Sequence, residues 1–249
     1  MKNLLDLTGK TILITGASSG IGKSSALLCS KLGASLIITG RNELKLNNVF
    51  NLLEGNNHLQ FPIDFEYENS IVELCSKIDK LDGIIHSAGV LESIPFSYTN
   101  NTKLSKIMKI NFEIPFSITQ YLVKTKKINN YSSIVFISSL SGINTIAAGI
   151  SAYSASKGAI SASIRVMALE LASRNIRVNA VCPGMVNTEM NLENTTLTSD
   201  DLKTDEFTNY PLGYGKPEDV ANAIVFLLSG ASSWITGTNL VIDGGASIH

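Results

Sequence analysis

Residues 10–22 read KTILITGASSGIG, a short apolar run that leads directly into a glycine-rich turn. The β-branched residues of the first half predict a buried strand over 10–15. Apolar residues at helical spacing then follow over 23–32, and Gly33 ends that helix. Strand, glycine turn and helix in this order are typical of a dinucleotide site.

Each glycine of this turn has a distinct physical use. Gly16 permits the tight turn, Gly20 lets the backbone approach a pyrophosphate, and Gly22 lets the helix pack closely on the strand. The helix N-terminus then faces the anion. The alternative is a glycine-rich turn without a ligand, which the rest of the chain disfavours.

Tyr153 and Lys157 are four residues apart in the segment YSASK. On a helix this spacing places both side chains on one face. At an effective dielectric near 20, an ammonium about 4 Å from a phenol favours the phenolate by roughly 4 kcal/mol. That is about three pK units, so we expect Tyr153 to titrate near neutral pH, which suits proton exchange with a carbonyl or alcohol. The alternative is a solvated surface pair.

Further motifs occur in a fixed order along the chain. They are HSAG at 86–89, Asn111, Ser139, Pro183-Gly184, Thr188, and a tail that runs from ITG at 235–237 to DGG at 243–245. With the glycine turn and the Tyr–Lys pair, they resemble the short-chain dehydrogenase/reductase family over essentially the whole chain. The tail is most similar to that of 3-oxoacyl-(acyl-carrier-protein) reductases.

The resemblance implies catalytic roles for Asn111, Ser139, Tyr153 and Lys157. Ser139 would hydrogen-bond the substrate oxygen and Tyr153 would exchange the proton. Lys157 would lower the pKa of Tyr153 and hold the nicotinamide-ribose hydroxyls, while Asn111 would anchor a water that links Lys157 to solvent. The cofactor would carry the hydride. Ser138, next to Ser139 on a strand, should point the opposite way.

The resemblance also implies a nicotinamide-cofactor site. Its residues would be Gly16, Ser18, Ser19, Gly20, Ile21, Gly22, Arg41, Asp64, Phe65, Ser87, Ala88, Gly89, Tyr153, Lys157, Pro183, Gly184, Val186 and Thr188. Asp64 would contact the adenine. His86 stands where the family usually has asparagine, and we interpret it as a packed or hydrogen-bonded strand residue.

The end of the second predicted strand bears on cofactor choice. An NAD enzyme normally has an acid there that binds the ribose hydroxyls, but this chain has Gly40 followed by Arg41. A guanidinium is well shaped for a 2′-phosphate. Ser19 occupies the position where many NADP-preferring relatives carry a second basic residue. On balance the sequence predicts a preference for NADP(H) over NAD(H).

Seven short apolar runs alternate with helical segments. Besides 10–15 they cover 34–39, 59–63, 83–87, 134–138, 177–182 and 239–242. This alternation predicts an α/β fold, a doubly wound, Rossmann-type parallel sheet of seven strands with helices on both faces. No break in composition divides residues 1–249, so we expect a single domain.

The segment at about 187–211 differs from the rest because it is long and rich in Asn, Thr and acidic residues. It follows the carboxyl end of a strand, where open α/β sheets bind ligands. Relatives have a mobile substrate-binding segment at this point. We therefore expect a substrate lid rather than a disordered surface loop.

Composition excludes several functional classes. Lys plus Arg number 20 and Asp plus Glu 21, so no global field favours nucleic acid or a membrane surface. No run reaches the roughly 18 apolar residues of a membrane span. Three widely spaced cysteines without a secretory signal predict reduced thiols in the cytoplasm. No His/Cys/Asp cluster predicts a metal site.

We expect an oxidoreductase that interconverts a ketone and a secondary alcohol, with a small-molecule or carrier-bound substrate. A 3-oxoacyl thioester competes with a sugar, a steroid or another small hydroxy compound. An acidic carrier protein would favour a basic patch, for which Lys124, Lys126, Lys127 and Arg174 are the candidates. A different class is a non-catalytic nucleotide sensor or scaffold, which the four intact catalytic positions disfavour.

Small residues around Gly158, Ala159 and Ala162 would allow another helix to approach the Tyr153 helix closely. Packing on the sheet explains them equally well from composition alone. Because family members usually pair this helix across a subunit interface, we expect a homotetramer.

Overall fold

A computed structural model of the chain describes residues 3–67, 69–144, 147–194 and 198–248. Its centre is a parallel sheet of seven strands in the order β3-β2-β1-β4-β5-β6-β7. The strands are β1 (Thr11–Thr15), β2 (Ser35–Gly40), β3 (Leu59–Pro62), β4 (Leu81–His86), β5 (Ile128–Ile137), β6 (Arg177–Pro183) and β7 (Asn239–Ile242). The predicted fold class is therefore confirmed.

Helices connect the strands and cover both faces of the sheet. They are α1 (Gly20–Lys31), α2 (Glu43–Phe50), α3 (Ser70–Ser76), α4 (Asn101–Met108), α5 (Ile114–Lys124), α6 (Ser151–Leu171), α7 (Glu189–Asn194), α8 (Ser199–Asn209) and α9 (Pro217–Leu228). A π-helical turn, Lys109–Glu113, joins α4 to α5. No helix in these described ranges has the length and apolarity needed to cross a bilayer.

Two apolar cores lie on opposite faces of the sheet. One packs α1, α2 and α9 against side chains such as Ile12, Ile14 and Leu36. The other packs α3, α5 and α6 against side chains that include Leu13 and Ile84. Successive residues of β1 thus enter different cores, which explains why the strand is apolar throughout.

β5 begins at Ile128, well before the predicted strand at 134–138. Its first half carries polar residues, and its register against β4 shifts between Leu81 and Gly83. Tyr131 lies in this stretch with φ of 64°. The predicted strand was too short because an irregular polar strand lacks the apolar run that marks a buried one.

The proposed lid region contains two helices, α7 and α8, on either side of residues 195–197, which lie outside the described ranges. Thr198 caps α8, accepting a hydrogen bond from the Asp201 amide at 3.2 Å. The Tyr214 hydroxyl donates to the Asp205 carboxylate at 2.5 Å, so α8 is tied to the chain that follows it. Whether these helices close over a substrate remains a prediction.

Candidate active site

Three of the four predicted catalytic side chains meet where β5 runs into α6. Ser139 follows β5, and its hydroxyl lies close enough to the phenol of Tyr153 to lower the pKa of that phenol. The ammonium of Lys157 lies 5.6 Å from the centroid of the Tyr153 ring. The predicted helical spacing therefore places the phenol and the ammonium on one face of α6.

Ser138 and Ser139 point in different directions, as the strand geometry predicted. The Ser138 hydroxyl donates to the Lys157 carbonyl at 2.9 Å and lies 2.9 Å from the Ser161 hydroxyl. It is therefore part of the packing between β5 and α6. Ser139 instead accepts a hydrogen bond from the Ser141 amide at 3.2 Å and faces Tyr153.

The predicted near-neutral pKa of Tyr153 is wrong for the protein in this structure. Burial raises the pKa of Tyr153, and the Ser139 hydrogen bond lowers it only in part. The Lys157 ammonium donates to the Ile137 carbonyl at 2.7 Å and lies over the ring of Tyr153. Helical spacing specified a shared face but not a contact with the phenol oxygen.

Burial also acts on the lysine, because it disfavours the charged form. It lowers the pKa of Lys157 to about 8, against a smaller opposing effect of Cys182. Lys157 is only 5% exposed. The site thus holds a phenol that keeps its proton at neutral pH beside a lysine that titrates just above it.

Asn111 lies in the π-turn and is almost completely buried. Its Oδ1 accepts a hydrogen bond from the Val90 amide at 2.8 Å, and its Nδ2 donates to the Val90 carbonyl at 3.0 Å. The side chain therefore clamps the loop after β4. A π-turn has no simple sequence signature, so sequence reasoning did not anticipate it.

The glycine turn forms a cradle in which side chains would collide with backbone. A Cβ on Gly16, whose φ is 67°, would lie 2.6 Å from the Ala88 nitrogen. A Cβ on Gly22 would lie 2.2 Å from the Gly16 carbonyl oxygen. These contacts agree with the tight turn and the close helix packing predicted for Gly16 and Gly22.

The start of α1 is open to an anion. Ser19 precedes the helix with an extended backbone, and its side chain makes no capping hydrogen bond. No acid lies in the first turn. A Cβ on Gly20 would meet only the Thr188 side chain, at 3.4 Å, so the backbone stays accessible beneath it. Unpaired amides at a helix N-terminus are suited to a pyrophosphate, and these residues fit a dinucleotide.

The predicted cofactor residues follow the carboxyl ends of neighbouring strands. Ser87, Ala88 and Gly89 follow β4, and the Thr15 hydroxyl at the end of β1 accepts hydrogen bonds from Ser87 and Ala88 at 3.2 and 3.3 Å. Others follow further strands in chain order: Arg41 comes after β2, Asp64 and Phe65 after β3, and Pro183, Gly184, Val186 and Thr188 at or after the end of β6. The sheet therefore brings them to one edge.

His86 is buried in the sheet, as predicted. Its Nε2 lies 2.8 Å from the Thr119 hydroxyl, and its ring stacks on Phe136 with centroids 4.6 Å apart. Because the Thr119 hydroxyl donates its proton to the Pro115 carbonyl, Nε2 must be the protonated nitrogen. Burial lowers the pKa of His86 to about 3.

Comparisons with known proteins agree with this geometry. A family model described as enoyl-(acyl carrier protein) reductase matches residues 16–247. A short-chain type dehydrogenase/reductase from Mycobacterium marinum superposes with a TM-score of 0.87 at 29% identity, covering 99% of this chain and 98% of that one. The chain belongs to the short-chain dehydrogenase/reductase family. As a member of that family it is an NAD(P)-dependent oxidoreductase.

The chain is also similar to two proteins whose names give different substrates. A 3-oxoacyl-[acyl-carrier-protein] reductase FabG of Rickettsia felis is 37% identical over 243 residues, covering 97% of this chain and 98% of the relative. A 7α-hydroxysteroid dehydrogenase, solved with NADH and a 7-oxo bile acid, superposes with a TM-score of 0.88 at 29% identity over 98% of both chains.

His86 predicts an acid-sensitive fold. The folded pKa is about 3, and an unfolded histidine titrates near ~6.5. The unfolded chain therefore binds one more proton between these values, and stability falls as the pH drops from ~6.5 towards 3, by up to about 1.4 kcal/mol per pH unit.

We expect the wild type to lose roughly 2 kcal/mol more than His86→Gln between pH 7 and pH 5. Glutamine does not titrate, and carboxylates affect both proteins alike. The check is the free energy of unfolding from urea titrations at both pH values. An equal pH dependence in the two proteins would contradict the buried neutral state of His86.

Proposed function

We propose that this protein uses NADPH to reduce the ketone of a 3-oxoacyl thioester to a secondary alcohol. The observation that carries the proposal is the hydroxyl pair of Ser139 and Tyr153 beside the buried Lys157. Two hydroxyl donors at one point suit an oxygen that gains negative charge during reduction. The 3-oxoacyl substrate is supported by the similarity to the FabG of Rickettsia felis.

A nicotinamide cofactor held at the glycine turn and the start of α1 would supply the hydride that the carbonyl carbon needs. Ser139 donates a hydrogen bond to the carbonyl oxygen and orients it towards Tyr153. Because burial raises the pKa of Tyr153, the phenol arrives protonated and gives its proton to the oxygen. The Lys157 ammonium stabilises the phenolate that remains. Ketone, hydride and proton together give the alcohol, so the reaction balances.

Tyr153→Phe removes the proposed acid while keeping the ring. A positioned acid typically contributes about 10²–10⁴-fold, so we expect kcat for 3-oxoacyl thioester reduction to fall by that factor. Affinity for NADPH, measured by fluorescence titration, should stay within about threefold. Tyr131→Phe, on an exposed residue of β5, is the matched control. Turnover of Tyr153→Phe close to that of the control would refute the acid role.

The preference for NADPH rests on Arg41. This exposed residue directly follows β2, and the strand ends in Gly40 rather than an acid. A relative of the same fold is solved with NADH, so family membership alone does not choose the cofactor. A Cβ on Gly40 would lie 3.1 Å from Cβ and Oγ of Ser18. An aspartate in place of Gly40 would disturb Ser18 as well as change the charge. A substitution of Arg41 therefore tests the cofactor preference with fewer side effects.

Arg41→Ala should lower the affinity for NADPH by roughly 10–100-fold, which is the range for one charge-assisted hydrogen bond. Affinity for NADH should change less than threefold, because NADH has no 2′-phosphate. Both dissociation constants come from fluorescence titration, with Lys31→Ala at the end of α1 as an exposed-cation control. Tighter binding of NADH than NADPH by the wild type would reject the preference.

Large exposed apolar side chains on the loops after β4 and β6 support an apolar substrate chain. Phe96 is 81% exposed, and Phe207 and Leu212 are 91% and 86% exposed. These segments follow the two strands on either side of β5, and Ser139 comes directly after the end of β5. Apolar side chains in such a position favour an acyl chain over a sugar, which needs many hydrogen-bond partners.

The predicted basic patch requires two corrections, because Lys127 and Arg174 both hydrogen-bond to the protein. The Arg174 guanidinium donates to Asn130 Oδ1 at 3.2 Å and to the Ile128 carbonyl. The Lys127 ammonium donates to the carbonyls of Cys75 and Ile78 at 2.8 and 2.5 Å, so it caps the end of α3 and is not a free surface charge. Lys80, Lys124, Lys126 and Arg174 instead line an open groove of about 560 Å³. This groove is the surface we propose for an acidic carrier protein.

The groove lies at the amino-terminal edge of the sheet, where β4 and β5 begin. Tyr153 lies near the start of α6 and Arg174 just beyond its end. At 1.5 Å per residue this separation is about 30 Å. A docked carrier would therefore serve the site of a neighbouring subunit, as a homotetramer allows. An exposed face of α6 with Ala162, Val166 and Leu169 supports subunit pairing.

We further propose that the enzyme works in the cytoplasm, since its three cysteines are buried free thiols.

Sugars and steroids remain alternative substrates. The family model's description raises reduction of an enoyl double bond as a further activity to assay. The Tyr153 and Ser139 hydroxyls can bind an oxygen that gains a proton, so the site favours reduction of a ketone over reduction of an enoyl carbon–carbon double bond.

The carrier is tested with 3-oxoacyl groups on an acidic carrier protein and on a small thioester. Lys124→Glu with Lys126→Glu should raise KM for the carrier-bound form about tenfold or more and leave the small thioester unchanged. Added salt should weaken only the carrier reaction. Lys31→Glu is the control for the change in net charge. An enoyl thioester, offered as a separate substrate, tests whether the protein also reduces a carbon–carbon double bond. Good activity on cyclic ketones or sugars with none on either thioester would refute the proposed substrate.

A further inference from the structure

Ser156 lies between Tyr153 and Lys157 on α6 and is completely buried. Its hydroxyl donates to the Tyr153 carbonyl at 2.7 Å. The same oxygen accepts a hydrogen bond from Nδ2 of Asn111 at 3.0 Å. One hydroxyl thus joins the first turns of α6 to the π-turn between α4 and α5.

Through Asn111 this link extends to a third element. Both amide hydrogens of Asn111 are used, one on Ser156 and one on the Val90 carbonyl, and its Oδ1 accepts the Val90 amide. With every donor engaged, the Asn111 amide has a single orientation. The loop after β4 is therefore held against α6 through two side chains.

The clamped loop lies directly beside the catalytic lysine. A Cβ on Gly89 would lie 3.3 Å from Oδ1 of Asn111 and 3.7 Å from Nζ of Lys157. Gly89 therefore faces both side chains, and a larger residue at this position would crowd them. A small movement of this loop would change both the surroundings of the ammonium and the room next to the predicted nicotinamide site.

We propose that Ser156 is a positioning residue, which fixes the Asn111 amide and thereby holds the Gly89–Val90 loop at Lys157. The inference rests on the proposed reductase function for its effect on turnover. Its effect on the loop is independent of that function, because it concerns hydrogen bonds within the protein.

A plain helical serine offers a matched control. The Ser163 hydroxyl donates to the Ala159 carbonyl at 2.8 Å, a bond within α6 itself. Ser163→Ala therefore removes a hydroxyl of the same kind from the same helix. A purely helical role for Ser156 predicts that both alanine variants behave alike.

The first measurement is hydrogen exchange of the Val90 amide, whose acceptor is the Asn111 side chain. In Ser156→Ala one buried Nδ2 hydrogen of Asn111 loses its acceptor. The side-chain amide of Asn111 is then free to rotate, and its hydrogen bond with the Val90 backbone amide weakens. We expect the Val90 amide hydrogen to exchange at least tenfold faster in Ser156→Ala than in wild type. In Ser163→Ala its exchange rate should equal that of wild type. Equal exchange in all three proteins would overturn the proposal.

The second measurement separates positioning from general stability. Ser156→Ala should lower kcat about tenfold and leave KM for the carbonyl within twofold, and Ser156→Cys should restore part of kcat. In an Asn111→Ala background the same change should alter kcat less than twofold, because the partner is already absent. If Ser156→Ala lowered kcat by the same factor in the Asn111→Ala background as in wild type, the two residues would act independently and the proposal would be overturned.

If Ser156→Ala does not fold, Ser156→Cys against wild type carries both measurements, with smaller shifts in the same direction. If the wild type reduces no carbonyl, the proposed function fails, while exchange at Val90 still decides whether Ser156 holds the loop.

Discussion

Close backbone contact between the glycine turn after β1 and the end of β4 is the constraint on which this site depends. Gly16 abuts Ala88, and the Thr15 hydroxyl accepts the amides of Ser87 and Ala88. β1 and β4 are neighbours at the point where the strand order reverses, which is where open α/β sheets bind nucleotides. Any side chain on Gly16 would push the two loops apart.

Helix α6, which carries Tyr153 and Lys157, depends on this arrangement through β4. The loop after β4 carries Gly89 and Val90, which Asn111 clamps and which lie beside Lys157. The π-turn turns Asn111 inwards, and Ser156 ties that residue to α6. The glycine turn and the proposed proton-transfer groups are thus two parts of one packed unit that hydrogen bonds hold together.

Burial controls the electrostatics of this unit. It raises the pKa of Tyr153 and lowers the pKa of Lys157 to about 8, so the two pKa values, which are ordinarily close, move apart. A phenol that stays protonated suits a proton donor for reduction. The same physical cause keeps His86 neutral inside the sheet. Desolvation outweighs the attraction between charges wherever the side chains are enclosed.

The sequence by itself determined the fold class, the glycine turn and the shared face of Tyr153 and Lys157. These follow from local rules: apolar runs mark buried strands, glycine permits close backbone contact, and four residues make about one helical turn. Only the tertiary structure decided where the Lys157 ammonium lies, that Lys127 caps α3, and that the basic groove is at the far edge from Tyr153. Those features depend on contacts between residues distant in the chain, and desolvation is a property of the whole packed core that no local pattern encodes.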